Sequence, residues 1–284
     1  MSEVAKDLRA GLEGVLPPAR VLTGVLDRLA FANDASVYRM VPRGVVQPTS
    51  VEEVQGLFRL SHRERVPLTF RAAGTSLSGQ AVTDGILVDV SRHWRSVEVL
   101  DDGAAVRVQP GVIAAAVNRT LAPHGAKIGP DPASINAAMM GGVLANNSSG
   151  MCCGVELNAY HTLESMVFVL PDGSLVDSSA PDAEERFAAG SPEIARGLLE
   201  LRDRVLADTA LGDRIRHKYR MKNTMGYSLN SFLDHATPVA ILSHLMIGSE
   251  GTLGFIAEAV LRTVPDYPLK HTGMLFFPDV PAAC

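Results

Sequence analysis

Residues 66–81, VPLTFRAAGTSLSGQA, put an arginine, three hydroxyls and two glycines directly after a short apolar run. Those residue types suit an anion. Gly74 and Gly79 let the backbone turn sharply and approach a ligand closely. Thr75, Ser76 and Ser78 supply hydroxyl donors, and Arg71 supplies charge. Two familiar phosphate loops do not fit. The glycines have P-loop spacing, but Gln80 and Ala81 stand where Lys and Ser/Thr belong. A Rossmann-type turn needs a helix at once, whereas TDG and another apolar strand follow here. What remains is a backbone nest, in which successive N–H groups line a concavity. On this loop alone, a plain β-turn with polar decoration carries equal weight.

Two further stretches shift that balance. MMGGVLANNSSG, residues 139–150, is small and donor-rich; beside Gly141, Gly142 and Gly150 a flat ring can pack on backbone. GSEGTLG, residues 248–254, is a third glycine cluster and precedes a strand. Three such clusters imply a large, elongated ligand. A dinucleotide fits, since its pyrophosphate, adenine and second ring each need a separate bed.

The elements that must position these clusters are readable as well. Ser50 and Glu53 have capping-box spacing at the head of a helix, with Val51, Val54, Leu57 and Phe58 on one face. Both are assigned to capping alone. Pro67 closes that helix and LTF begins a strand. Hairpins are expected to turn at Asp102-Gly103 and at Pro171-Asp172-Gly173, with a helix at VIAAAVNRTL. Ser191 should cap a helix that has Pro192 at its first position. From Phe255 a strand is expected in which Phe255, Ala257, Ala259 and Leu261 alternate with Ile256, Glu258, Val260 and Arg262. A further strand should begin at Leu269. Strands and helices mix without strict alternation, which predicts an α+β protein of two lobes. The expected parts are an N-terminal helical segment over 1–43, one lobe over 44–95, a second over 96–266, and the beginning of another domain over 267–284.

Composition bounds the function. The chain has 284 residues, 46% hydrophobic and 20% charged, with a net charge of -5, and shows no clustered basic face of the kind nucleic acid requires. No apolar run reaches the ~18 residues of a membrane-spanning helix. A cytoplasmic protein is expected, with peripheral contact to the inner membrane left open. Cys152, Cys153 and Cys284 form neither a disulfide framework nor a zinc pattern. The first two read as packing residues. The eight histidines are scattered, so no metal site is assigned, and a structural role for His161 outweighs an approach to the ligand.

PLTFRAAGTSLSGQ, DPASINAAMMGGVLANNSSG, KNTMGYSLNSFLD and IGSEGTLGFIAEAVLRTVP, in that order, resemble the FAD-linked oxidases of the vanillyl-alcohol-oxidase/p-cresol-methylhydroxylase fold. The branch they resemble is that of the D-lactate, D-2-hydroxyglutarate and glycolate dehydrogenases. The likeness runs from about Val45 to Pro265. It implies a two-lobed FAD-binding domain with FAD between the lobes. Arg71, Ala73, Gly74, Thr75, Ser76, Leu77, Ser78, Gly79 and Gln80 would bind the pyrophosphate. Pro132, Ser134, Gly141, Gly142, Ala145, Asn147 and Gly150 would line the rest of the FAD, with Glu250, Gly251, Phe255 and Ile256 at the lobe interface. No histidine lies between Arg71 and Gln80, so the FAD is expected to be noncovalent. Residues 222–227 would lie near the flavin, which makes Asn223 and Tyr227 the substrate-side candidates.

The implied activity is FAD-dependent oxidation of a D-2-hydroxy acid to the 2-oxo acid, by hydride transfer to flavin N5. Electrons would pass to a quinone, a cytochrome, another flavoprotein or an iron–sulfur module. In this family a substrate-binding cap follows the EGTLG strand, and the chain ends at what reads as the cap's first strand. It is therefore expected to be the FAD-binding part of a longer protein, with the catalytic base left unassigned. Two alternatives remain: the FAD subunit of a molybdenum hydroxylase, and a non-catalytic nucleotide-binding module.

Overall fold

Parallel strands that lie side by side need a crossover of a dozen residues or more. That requirement shapes the first half of the molecule. The computed structural model describes residues 3–284. Strands β1 (Val21–Leu22), β2 (Gly44–Val46), β3 (Leu68–Arg71) and β4 (Ile86–Asp89) form a sheet in the order β1-β2-β4-β3. β2 and β3 both run parallel to β4, and β1 is antiparallel to β2. The helix Val51–Glu64 makes the crossover from β2 to β3 and buries Val54, Leu57, Phe58 and Leu60. The crossover from β3 to β4 has no helix. It is the glycine and hydroxyl loop itself, arching over the carboxyl ends of the parallel strands.

The segment before β2 is more than helical. β1 lies within it and adds a strand to the sheet. Ser50 does cap its helix, its Oγ accepting from the Glu53 N–H at 3.4 Å. Glu53 is not confined to capping. Its carboxylate accepts from both Arg20 guanidinium nitrogens, at 2.5 and 2.6 Å, and from the Thr49 N–H. That fork pins the N-terminal segment to the first helix crossover.

The second sheet begins after Asp89. Its strands are β5 (Val97–Leu100), β6 (Ala105–Val108), β7 (Ala126–Ile128), β8 (Leu163–Val169), β9 (Leu175–Asp177) and β10 (Phe255–Pro265). The order is β5-β6-β10-β8-β9, all antiparallel, with β7 paired to the far end of β10. Helices Ala114–Leu121, Met140–Asn146, Ala183–Gly190, Pro192–Ala207 and Pro238–Met246 cover it. Val117, Leu121, Met140, Leu144, Phe187, Leu198 and Met246 share one core with Met166, Phe168 and Leu261. Ser191 occupies the N-cap of the fourth of these helices, but its hydroxyl caps nothing; its Oγ is buried without a partner.

β10 does not keep the simple alternation its sequence suggests. Its register against β8 shifts between Ile256 and Glu258 and again between Val260 and Leu261. A bulge of this kind exchanges the faces of the strand beyond it. Phe255 and Ala257 therefore join the core of the first sheet, while Ile256, Ala259 and Leu261 join the core of the second. At the junction Phe255 stacks on Phe70 of β3, with centroids 4.7 Å apart, and meets Trp94 edge-on at 5.1 Å. No strand forms from Leu269: residues 266–279 are irregular and exposed from Tyr267 onward. No neighbouring strand lies alongside them to complete a ladder.

Behind the Met140–Asn146 helix, Tyr160, His161, His235 and His244 cluster. The His235 and His244 rings stack at 3.8 Å, and Tyr160 donates its hydroxyl to Asp234 at 2.8 Å. Burial pushes His244 down to about 4 from 6.5, with His235 adding repulsion. The unfolded chain therefore binds a proton at this residue before the native state does. Stability falls as pH drops from about 6.5 toward 4, by up to about 3 kcal/mol from this residue. Urea unfolding at several pH values should show this loss, and His244→Phe should flatten it. A second variant tests the junction: Phe255→Ala should lower stability by roughly 3–5 kcal/mol in the same measurement at pH 7.

Candidate functional site

A cavity of about 370 Å³ opens where the two sheets meet. Its walls come from three separate stretches of the chain, and each is shaped by backbone.

The first wall is the crossover loop. Gly74 has φ +70°, and a Cβ there would lie 2.7 Å from the Arg71 guanidinium. Gly79 has φ +81°, and a Cβ would strike the Tyr38 ring at 2.7 Å. Both glycines are required by their left-handed backbone conformation. The segment before β2 holds the loop from outside. Gly74 carbonyl accepts from the Ala35 N–H at 3.0 Å, and Asp34 accepts from the Ala81 N–H at 3.3 Å. Ser76 Oγ accepts from the N–H groups of Ser78 and Gln80. Among the described residues, the N–H groups of residues 73–77 meet no acceptor. Ala73, Gly74, Thr75, Ser76, Leu77, Ser78 and Gln80 line the cavity.

Arg71 and Gly79 do not. Arg71 points away from the cavity, donating to the carbonyls of Asn33 at 2.7 Å and Phe31 at 3.2 Å. Burial lowers its pKa, against the pull of Asp34 and Asp89, and it remains a cation. Its visible work is to clasp the loop to residues 31–33.

The second wall is the short helix Met140–Asn146. Gly141 is packed against Pro110, where a Cβ would come within 2.6 Å, and its N–H donates to the Pro110 carbonyl. Gly142, one residue on, faces open space. Gly141, Gly142, Ala145 and Ser134 line the cavity. Pro132, Asn147 and Gly150 lie behind it. Asn147 ends the helix in the left-handed region, φ 51°, and its Oδ1 accepts from the Tyr160 N–H. Gly150 lets the chain pass Asp131, whose carbonyl would otherwise meet a Cβ at 1.9 Å. Asp131 gathers the N–H groups of Gly150, Cys152 and Cys153. Cys153 is buried, but Cys152 is exposed and packs nothing.

The third wall is the turn before β10. It is stapled to the end of the second: Gly248 N–H donates to the Leu144 carbonyl and Glu250 N–H to the Ala145 carbonyl. Glu250 has φ 53°, an uncommon conformation for this residue. Its side chain accepts from Asn146 Nδ2, and burial pushes its carboxyl above the ordinary value. Glu250, Gly251, Phe255 and Ile256 line the cavity. So does Ser249, which is 2% exposed and whose hydroxyl has no partner.

Asn223 and Tyr227 are outside the lining but beside it. Lys222 donates to the Ser149 carbonyl, and Tyr227 pairs with Thr252 Oγ1 at 2.8 Å. These two contacts tie residues 222–227 to the ends of the second and third walls. Asp34 and Asp131 escaped the sequence reading because each acts through a contact distant in the chain, and Ser249 because its burial is set by the fold. Only Ser249, a hydroxyl inside a glycine cluster, carried a local signal.

The sequence profile of the FAD binding domain family matches residues 42–179, which covers β2, β3 and β4 of the first sheet and two of the three walls. The D-2-hydroxyglutarate dehydrogenase of Escherichia coli K12 is 32% identical over 247 residues, 84% of this chain and 24% of that protein. Glycolate oxidase subunit GlcD of Bacillus subtilis is 27% identical, over 99% of this chain and 49% of that protein. The chain thus spans about a quarter to a half of the length of these relatives. Among solved structures, alkyldihydroxyacetonephosphate synthase superposes with a TM-score of 0.61 at 19% identity, covering 92% of this chain and 44% of that one. For 6-hydroxy-D-nicotine oxidase of Arthrobacter nicotinovorans the TM-score is 0.57 at 15% identity, with 86% and 42% covered. Both share the fold.

The cavity suits FAD on its own geometry. Residues whose N–H groups are unclaimed line it, a buried serine hydroxyl there has no partner, and a Cβ at Gly142 would project into open space. Gly142→Val should therefore leave folding intact and weaken FAD binding at least tenfold in a fluorescence titration, whereas Gly141→Val should destabilise the fold itself through Pro110. The matched profile and the three-walled cavity agree: residues 42–179 match the FAD binding domain family, which supports FAD as the cofactor, in a chain that shares the fold of alkyldihydroxyacetonephosphate synthase.

Proposed function

We propose that this chain is the FAD-binding part of a dehydrogenase that oxidises a D-2-hydroxy acid to its 2-oxo acid. The observation that carries the reading is that the glycine-rich stretches, far apart in sequence, converge on one cavity in a chain similar to D-2-hydroxyglutarate dehydrogenases and a glycolate oxidase subunit. Those relatives favour this reading over a molybdenum-hydroxylase subunit or a non-catalytic nucleotide module. D-2-hydroxyglutarate, D-lactate and glycolate are the substrate candidates.

FAD, when bound, accepts the two electrons and the hydrogen that leave the substrate carbon. This chain's own residues hold and orient it. The N–H groups of residues 73–77, with the hydroxyls of Thr75, Ser76 and Ser78, would receive the pyrophosphate. Arg71 keeps their loop in shape by binding the carbonyls of residues 31 and 33. Gly142 and Gly251 leave room for flat rings against backbone. Phe70, Val90, Phe255 and Ile256 give the cavity an apolar floor that excludes water, which strengthens each polar contact above it. Pro132, Asn147 and Gly150 act from behind, by fixing the second wall. Residues 222–227 sit at the rim, where Asn223 and Tyr227 are the candidates for touching substrate. The catalytic base is not assigned. No stretch in the first loop offers a histidine for covalent attachment, so FAD is held noncovalently.

Electrons then go to an acceptor, for which a quinone, a cytochrome, another flavoprotein and an iron–sulfur module are the candidate classes. Among the described residues no helix is long and apolar enough to cross a membrane.

The test is a visible spectrum of the whole dehydrogenase of which this chain is the FAD-binding part, before and after anaerobic addition of each hydroxy acid. The expected result is a flavin spectrum that bleaches with one of the three without molybdenum, and flavin that passes wholly into the supernatant on acid precipitation. A flavin that none of them reduces would contradict the substrate class, and flavin retained in the pellet would contradict noncovalent binding.

A further inference from the structure

The cavity is built to take a ligand that carries two negative charges, yet no lysine, arginine or histidine lines it. Its one ionisable lining side chain is an acid, Glu250. Arg71, the cation nearest the loop, is turned to the carbonyls of Phe31 and Asn33 and faces Asp34 and Asp89. Lys222 is held at the rim by the Ser149 carbonyl. An anionic carboxylate here opposes the anion that the walls invite.

Glu250 cannot easily leave. Its backbone is fixed by the Ala145 carbonyl in a left-handed conformation, and one carboxyl oxygen accepts from Asn146 Nδ2. Among the described residues the other oxygen has no partner. No charged side chain compensates it: the second wall offers only Asn146, the crossover loop offers no titratable lining group, Tyr227 at the rim is engaged by Thr252, and Glu258 further along β10 is paired with Arg107. We propose that Glu250 is the proton-linked determinant of FAD affinity, its carboxyl taking up a proton when the pyrophosphate dianion enters the cavity. The inference rests on FAD as the ligand and on no particular substrate.

The physical ground is Coulombic. Glu250 and residues 73–77 line one cavity, and like charges that share such a site oppose one another by enough to change affinity about tenfold. The site can avoid that cost in one way, by binding Glu250 neutral. Burial already raises its carboxyl pKa, with only the Asn146 hydrogen bond acting the other way. A nearby dianion raises it further. Affinity must then fall as pH rises through the range where Glu250 would ionise. Neutral Glu250 also gains a donor, which the unpartnered oxygen can direct at an acceptor on the ligand.

The experiment is an FAD titration of the apoprotein by flavin fluorescence from pH 5.5 to 8.5, with riboflavin as the ligand that lacks the pyrophosphate. Calorimetry in two buffers of different ionisation enthalpy counts the protons. The expected result is that FAD affinity falls about tenfold or more across the range, with proton uptake on binding, while riboflavin affinity stays level. Glu250→Gln should match the wild type at low pH, keep that affinity at high pH, and abolish the uptake. FAD affinity that is level with pH, or a Glu250→Gln variant that keeps the wild-type pH dependence, overturns the proposal and leaves the cofactor assignment standing. No FAD binding at any pH overturns both. Should the variant not fold, the FAD-against-riboflavin contrast in the wild type decides alone.

Discussion

Phe255 packed on Phe70 is the contact on which the rest of the site depends. Phe70 lies one residue from the end of the parallel strand that launches the crossover loop. Phe255 begins the central strand of the other sheet. Their stack fixes the carboxyl end of β3 over the amino end of β10, and both rings line the cavity floor. The bulge in β10 makes this possible, because one strand must send side chains first into one core and then into the other. Trp94, in the chain that passes between the sheets, closes the contact from the side. With the floor set, the loop above β3, the glycine helix and the turn before β10 have only one place to converge.

Recognition in this cavity is mostly a matter of backbone. The loop presents N–H groups, the helix presents a glycine surface, and the turn presents a buried hydroxyl. Several side chains work by holding those walls in place. Arg71 and Asp34 hold the first wall, Asp131 the chain that leaves the second, and Asn146 and Glu250 join the second to the third. Such a division suits a large cofactor whose parts differ in chemistry. A rigid main-chain cradle is already in shape when the ligand arrives, and so loses little entropy on binding.

Much of this was legible in the residues. The order of the glycine clusters marked the cavity, and local rules located the Ser50 cap and the hairpins, because turns and caps depend on neighbours a few positions away. What local rules could not give was direction. Arg71 stands beside an anion-binding loop in sequence and looks like a phosphate ligand, but its partners are carbonyls 38 and 40 positions upstream. Glu53 fits a capping box, but a distant Arg20 claims its carboxylate. Phe255 to Arg262 alternate as a strand should, but a bulge set by pairing with β8 exchanges the faces. Leu269 to Phe277 has strand composition, yet composition alone makes no strand where no partner lies alongside. Each departure follows from a contact made across the fold.

We infer that FAD's pyrophosphate is held by unclaimed main-chain N–H groups of the crossover loop, with the second and third walls bearing the remainder of the cofactor. Amide hydrogen exchange, measured with and without saturating FAD, reads those groups directly. The account predicts that residues 73–77 and Gly142 exchange freely in the apoprotein and become protected when FAD binds, while the remote helix Pro192–Ala207 is unchanged. Bound FAD that leaves residues 73–77 exchanging as before would contradict it.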